Sequence, residues 1–257
     1  MIRAVIFDLG NTLMYFDGDW DEVTSKGVAA LKRSLAANGI RADGDFGADF
    51  VDARLIGRDL SARTDVEYTA TQALRDTLTR HGYSGVEDQI VARALECFFE
   101  PEEMDWVSYP DARQTLEQLR ARGLNVGLIS NATDDGFVQR ITLNSGLHAY
   151  MDPVISSAAL PWRKPDPRIF RYVLDGWNLQ PEEVIMVGDW PSADILGAHR
   201  AQMLAVLIEG RWPEPPRLDN DIPDKHLLDA DLVIRQLTEL PMAVEQLDHI
   251  QKREANA

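Results

Sequence analysis

The 257-residue sequence holds a single cysteine, Cys97, so no disulfide can form within the chain. Cys97 lies in the apolar run Ala94-Leu95-Glu96-Cys97-Phe98-Phe99, where a buried thiol is expected rather than a nucleophile. Positive charge is scarce: 26 Lys and Arg stand against 42 Asp and Glu, a formal charge of -16. Nucleic acid and anionic membrane surfaces are therefore not expected partners, because both select clustered basic residues. No apolar run approaches the roughly 18 residues of a membrane span. The first residues lack a basic region followed by a long apolar segment, so no secretory leader is expected and the expected address is the cytoplasm. The five histidines, His81, His148, His199, His226 and His249, show no metal-ligand spacing, which leaves no reason to expect zinc.

What the chain does have begins at residue 4. Ala4-Val5-Ile6-Phe7 reads as a strand buried on both faces, as at the centre of a parallel sheet. It runs into Asp8-Leu9-Gly10-Asn11-Thr12-Leu13. A carboxylate at the carboxyl end of such a strand stands where open α/β sheets do chemistry, although Asp8 taken alone can also be a helix cap. From about Asp45 to His81 the apolar residues recur at helical spacing. Helices are expected near 21–37, on both sides of a break at Arg63-Thr64-Asp65, and from 86 to 99, stopping before Pro101. No convincing strand lies between Tyr15 and Trp106.

From Ala112 onward, helices alternate with the buried strands Val126-Gly127-Leu128-Ile129, Pro153-Val154-Ile155, Val184-Ile185-Met186-Val187, Leu204-Ala205-Val206-Leu207-Ile208 and Asp231-Leu232-Val233-Ile234. That alternation predicts a parallel sheet with right-handed crossovers. Residues 211–226 are proline-rich and read as a surface loop. The expected fold is thus α/β, a Rossmann-like parallel-sheet core of residues 1–15 and 106–240, with an all-helical cap over 16–105 and a C-terminal tail over 241–257.

Three strands end in polar residues, Asp8, Ser130 and the Gly188-Asp189 pair, and a loop supplies Lys164. In a parallel sheet these ends share one edge. The chemistry they permit is phosphoryl transfer. Asp8 can attack in line, and Asp8 with Asp189 can hold Mg²⁺, which takes few carboxylates and several waters. Ser130 and nearby N–H groups can bind phosphoryl oxygens, and Lys164 can neutralise the developing charge.

Phe7-Asp8-Leu9-Gly10-Asn11-Thr12, Ser130-Asn131, Arg163-Lys164-Pro165-Asp166-Pro167 and Gly188-Asp189 with Asp194 five residues on resemble, in order, the four motifs of the haloacid dehalogenase-like hydrolases. The helical stretch stands where that superfamily inserts its first type of cap. The resemblance implies Asp8 as nucleophile and metal ligand, with the Gly10 carbonyl and Asp189 completing the protein ligands to Mg²⁺. It implies phosphate contacts from Ser130, Asn131, Lys164 and the main chain of Leu9 and Gly10, and a positioning role for Asp194 beside Lys164. The implied activity is hydrolysis of a small phosphorylated metabolite through an aspartyl-phosphate.

One position departs from the pattern. Phosphatases of this superfamily usually carry a second aspartate two residues after the nucleophile, as general acid and base, and here that residue is Gly10. A leaving group that needs little protonation, such as an acyl phosphate or a sugar 1-phosphate, would make the loss tolerable. A carboxylate on the following turn, Asp17 or Asp19, would replace it. A catalytically weak phospho-ligand-binding regulatory protein would not need it. A 2-haloacid dehalogenase also lacks that aspartate, but has an aromatic residue in its place. A phosphonatase would need a cap lysine, for which Lys26 and Lys32 are the candidates.

Overall fold

A computed structural model describes residues 1–211 and 224–254. Most of the expected loop at 211–226 therefore lies outside the described residues. The sheet is built from β1 (Ala4–Phe7), β4 (Asn125–Ser130), β5 (Val154–Ser156), β6 (Val184–Gly188), β7 (Leu204–Ile208) and β8 (Leu232–Ile234). Their order is β5-β4-β1-β6-β7-β8, and every pair is parallel. Phe7 stands opposite Leu128 on one side and Val187 on the other. This register sets Asp8 level with the last residues of both neighbouring strands. The chain builds β4 and β5 on one side of β1 and then crosses to β6, β7 and β8 on the other, so Asp8 sits at the switch point of the sheet.

Alternate residues of β1 feed two cores. Val5 and Phe7 pack with Leu116 and Leu119 of α5 (Ala112–Ala121), and with Val138 and Ile141 of α6 (Asp135–Asn144). Ala4 and Ile6 face Ile169, Phe170 and Val173 of α7 (Pro167–Trp177), and Ala198 of α8 (Leu196–Arg200). All four residues of β1 are fully buried, as the unbroken apolar run requires.

The helical stretch comprises α1 (Trp20–Ala37), α2 (Phe46–Thr64), α3 (Ala70–Arg80) and α4 (Asp88–Glu103). α1 and α4 approach closely at Gly27, where a Cβ would run into the Phe98 carbonyl and come within 3.1 Å of its ring. Asp65, at the predicted break, takes a left-handed φ of 52° and closes α2 by donating its N–H to the Ser61 carbonyl. Thr69 then opens α3 with a capping box to Gln72.

Three features differ from the sequence reading. α4 continues through Pro101 to Glu103, since in a final turn the missing proline N–H breaks no later part of the ladder. Two short strands, β2 (Met14–Phe16) and β3 (Trp106–Ser108), pair antiparallel, and the Asp17 N–H donates to the Asp105 carbonyl at 2.8 Å. Both passages between sheet and helical layer thus run through one ribbon. Finally, residues 240–254 form a helix, α9 (Leu240–Glu254), where a tail was expected. Leu240, Ala243, Val244 and Leu247 are buried at helical spacing. Pro241 lies in the first turn, where no N–H is needed.

Candidate active site

The loop after β1 is wound tightly. Leu13 and Met14 both donate to the Leu9 carbonyl at 2.9 Å, and Asn11 takes a left-handed φ of 54°, which asparagine tolerates better than most residues. This winding turns Thr12 inward, fully buried, with its hydroxyl donating to Asp189 Oδ1 at 3.4 Å.

Lys164 arrives from the loop before α7. Its ammonium is buried and reaches Asp8 Oδ1 at 2.6 Å and Asp194 Oδ1 at 2.7 Å. Its main chain is fixed by Asn131, whose side-chain amide donates to the Lys164 carbonyl at 2.8 Å and accepts from the Lys164 N–H at 2.9 Å. The Asn131 amide is therefore spent on positioning the lysine. Asp194 lies in the wide turn Pro191–Ile195 that opens α8, and its Oδ2 accepts from the Trp190 N–H at 2.9 Å. Gly188 makes that position possible, because a Cβ there would overlap the Asp194 carboxylate.

Burial pushes the Asp8 carboxyl up to about 6, and the like charge of Asp194 adds to it, against the opposing pull of Lys164 and the Leu9 N–H. Burial works against the Lys164 cation, yet Asp194 and Asp8 together hold it above the usual lysine range. Asp8, Asp189 and Asp194 each bring an oxygen within 4.8 Å of the others. Asp8 and Asp194 share the one ammonium of Lys164, with the Asp189 carboxylate beside them. A hard, oxygen-only donor set of this kind suits Mg²⁺.

Asp8, Leu9, Gly10, Ser130, Asn131, Lys164, Asp189 and Asp194 all line one cavity of about 720 Å³ between the sheet edge and the helical layer. Asp17 and Asp19 do not line it. Asp19 instead caps α1, accepting from the N–H groups of Asp21 and Glu22 at 2.9 Å. Lys26 pairs with Glu22 at 2.6 Å on the exposed side of α1, and neither it nor Lys32 lines the cavity.

Beside Gly10 stands an aromatic ring. A Cβ built on Gly10 would meet Trp106 Cη2 at 3.6 Å, an ordinary contact. The Trp106 indole N–H donates to Glu102 Oε1 at 3.2 Å, and burial raises the Glu102 carboxyl above its usual range. Trp106, Glu102 and the arginines Arg54, Arg58 and Arg163 also line the cavity. Sequence reasoning gave none of these five a role in the site, although Arg163 stands in the motif Arg163–Pro167 quoted above. The only signal for Arg54 and Arg58 was their four-residue spacing in a helical pattern.

With this geometry in hand, the similarity to known proteins is decisive. The model of the haloacid dehalogenase-like hydrolases matches residues 2–202. The chain belongs to that family. It is 31% identical over 248 residues to a glyceraldehyde 3-phosphate phosphatase of Methanopyrus kandleri, covering 92% of this chain and 99% of the relative. A phosphoserine phosphatase of Thermus thermophilus is 38% identical over 133 residues, 51% of this chain and 53% of the relative. Among solved structures, a 2-haloacid dehalogenase from Pseudomonas syringae pv. Tomato DC3000 superposes with a TM-score of 0.68 at 26% identity, covering 96% and 99% of the two chains. A HAD phosphatase from Thermococcus onnurineus gives 0.58 at 25%, covering 95% and 98%. As a family member this hydrolase has the α/β Rossmann-like core expected of it.

Proposed function

We propose that this protein is a Mg²⁺-dependent phosphatase of small phosphorylated metabolites that works through an aspartyl-phosphate on Asp8. The observation that carries the reading is the Lys164 bridge between Asp8 and Asp194, with Asp189 in the same oxygen cluster at the mouth of the cavity. An Asp8 oxygen attacks phosphorus in line, and the leaving oxygen departs with the electron pair of its bond to phosphorus. Water then attacks the phosphorus of the aspartyl-phosphate, which releases phosphate and returns the carboxylate. Lys164, Ser130 and the main chain of Leu9, Gly10 and Asn131 hold the phosphoryl oxygens, while Asp194 orients Lys164. Asp8, Asp189 and the Gly10 carbonyl would hold Mg²⁺, which supplies electrostatic stabilisation of the phosphoryl group when bound.

Gly10 supplies no proton to the leaving oxygen. Leaving groups that depart as weak bases suit the site, and Glu102, whose carboxyl burial raises above its usual range, lines the same cavity. The helical layer acts as the cap, hinged at the β2–β3 ribbon.

The test is a Mg²⁺-dependent panel of acetyl phosphate, sugar 1-phosphates, an aryl phosphate, glyceraldehyde 3-phosphate and phosphoserine. Asp8→Asn should lower turnover to below about 1% of the wild type, as expected when a covalent nucleophile is lost. Inactivity across the panel would favour a phospho-ligand-binding regulator. A second reading, 2-haloacid dehalogenase, is favoured by the Trp106 ring on Gly10 and by the Pseudomonas neighbour. Halide release from 2-chloropropionate without metal would establish it.

A further inference from the structure

α2 turns two unlike faces. Phe46, Phe50, Ala53, Gly57 and Ser61 are buried in the helical layer. Val51, Arg54, Leu55 and Arg58, at i, i+3, i+4 and i+7, line the catalytic cavity. On that second face two cations lie one turn apart, and among the described residues neither makes an ion pair. The Arg54 guanidinium lies 4.6 Å from the centre of the Phe98 ring and 5.1 Å from that of Phe99. Its Nε is enclosed and has no hydrogen-bond partner. Glu102 and Asp134 act on it only through space, and Arg58 repels it.

A half-buried cation whose enclosed Nε has no acceptor is costly. Stacking on the phenylalanine rings fixes its plane and offsets part of that cost, but leaves the in-plane donors without an acceptor. In a chain of charge -16, such a pair of arginines lining the cavity that also holds Asp8 selects for an anion. Arg163, the third arginine of the cavity, already lies 3.6 Å from Glu67.

We infer that Arg54, assisted by Arg58, forms a second anion subsite that receives a carboxylate of the substrate, so that the preferred substrates are small phosphorylated acids. The inference rests on the phosphatase reading above, because it assumes that the phosphoryl group lies at Asp8 and Lys164. The planar guanidinium matches a carboxylate with two parallel hydrogen bonds. The fit is to a molecule carrying two anionic ends across one small cavity, whereas a phosphorylated aldehyde or polyol would leave Arg54 without an acceptor.

Two phosphonates of equal length, 3-phosphonopropionate and propylphosphonate, isolate the carboxylate without turnover. Titration calorimetry of the wild-type protein in Mg²⁺ should give a Kd about tenfold or more lower for 3-phosphonopropionate, the scale of a charge-assisted hydrogen-bonded pair. Arg54→Met should abolish the preference while leaving the propylphosphonate Kd within about twofold. Arg54→Lys should keep part of it. Arg58→Gln, which alters an exposed side chain, should reduce it about threefold through the lost charge, and so tests the inference even if Arg54→Met does not fold. Equal affinity of the wild type for the two phosphonates, or a preference that survives in Arg54→Met, overturns this inference alone. Failure of both phosphonates to bind overturns it together with the phosphoryl site on which it rests.

Discussion

Two glycines define the chemistry of this site from opposite directions. Gly188 is a steric necessity, because the space its side chain would fill is taken by the Asp194 carboxylate that touches Lys164. Gly10 is a chemical omission, since a Cβ there meets only the Trp106 ring at 3.6 Å. The backbone at Gly10 has no positive φ that would demand glycine. Nothing in the fold at this position excludes an aspartate side chain. Gly10→Asp should raise turnover of an alkyl phosphate such as glycerol 3-phosphate by about 10²-fold, the lower end of what general acid–base catalysis supplies. Acetyl phosphate, whose leaving group departs unprotonated, should change little. The ratio of the two rates is the measurement, and an unchanged or lower ratio would show that the glycine costs the enzyme nothing.

At the scale of elements, legibility followed locality. β1, β4 and β6 were readable because four or more consecutive apolar residues ended in a polar one, and their parallel register alone brings Asp8, Ser130 and Asp189 to one edge. The β2–β3 ribbon was not readable. Each strand has three residues, and the pairing of Phe16 with Trp106 joins segments separated by the whole helical layer. Arg54, Glu102 and Trp106 were missed for the same reason. Their roles exist only once α2 and the end of α4 lie over the sheet edge. α9 was a misjudged boundary: a tail was expected over 241–257, whereas Pro241 stands in the first turn of a helix that runs to Glu254. Its buried stripe gives a direct test. Leu247→Ala should destabilise the protein by about 2–5 kcal/mol, whereas Met242→Ala, 74% exposed on the same helix, should stay within about 0.5 kcal/mol. Urea unfolding of the two variants measures both, and equal midpoints would mean that α9 contributes no packing.

The whole molecule carries its charge unevenly, and that sets its pH response. Carboxyls between sheet and helical layer are raised by burial: Asp8 to about 6, and Asp65, Glu67, Glu102, Glu103 and Asp134 above their usual range. In the folded state these groups keep protons that the unfolded chain releases near pH 4. The stability they contribute is complete below that point and is lost as pH rises through their folded values. Repulsion within a chain of charge -16 acts in the same direction. A second set moves the other way. At Asp166 and Asp231 burial is outweighed by hydrogen bonds from Arg168 and His199, which hold both carboxyls low, so their contribution is lost as pH falls through the acid range. The first trend favours pH values below the Asp8 value of about 6, and the second opposes it only below the ordinary aspartate range at about 4. Thermal melts at low salt, with EDTA present so that no metal masks Asp8, should give a Tm that rises from pH 8 to about pH 5.5 and falls again below about pH 4. A Tm highest at pH 8 would mean that the carboxyls beneath the helical layer are not desolvated in solution, and hence that the layer stands open over the site.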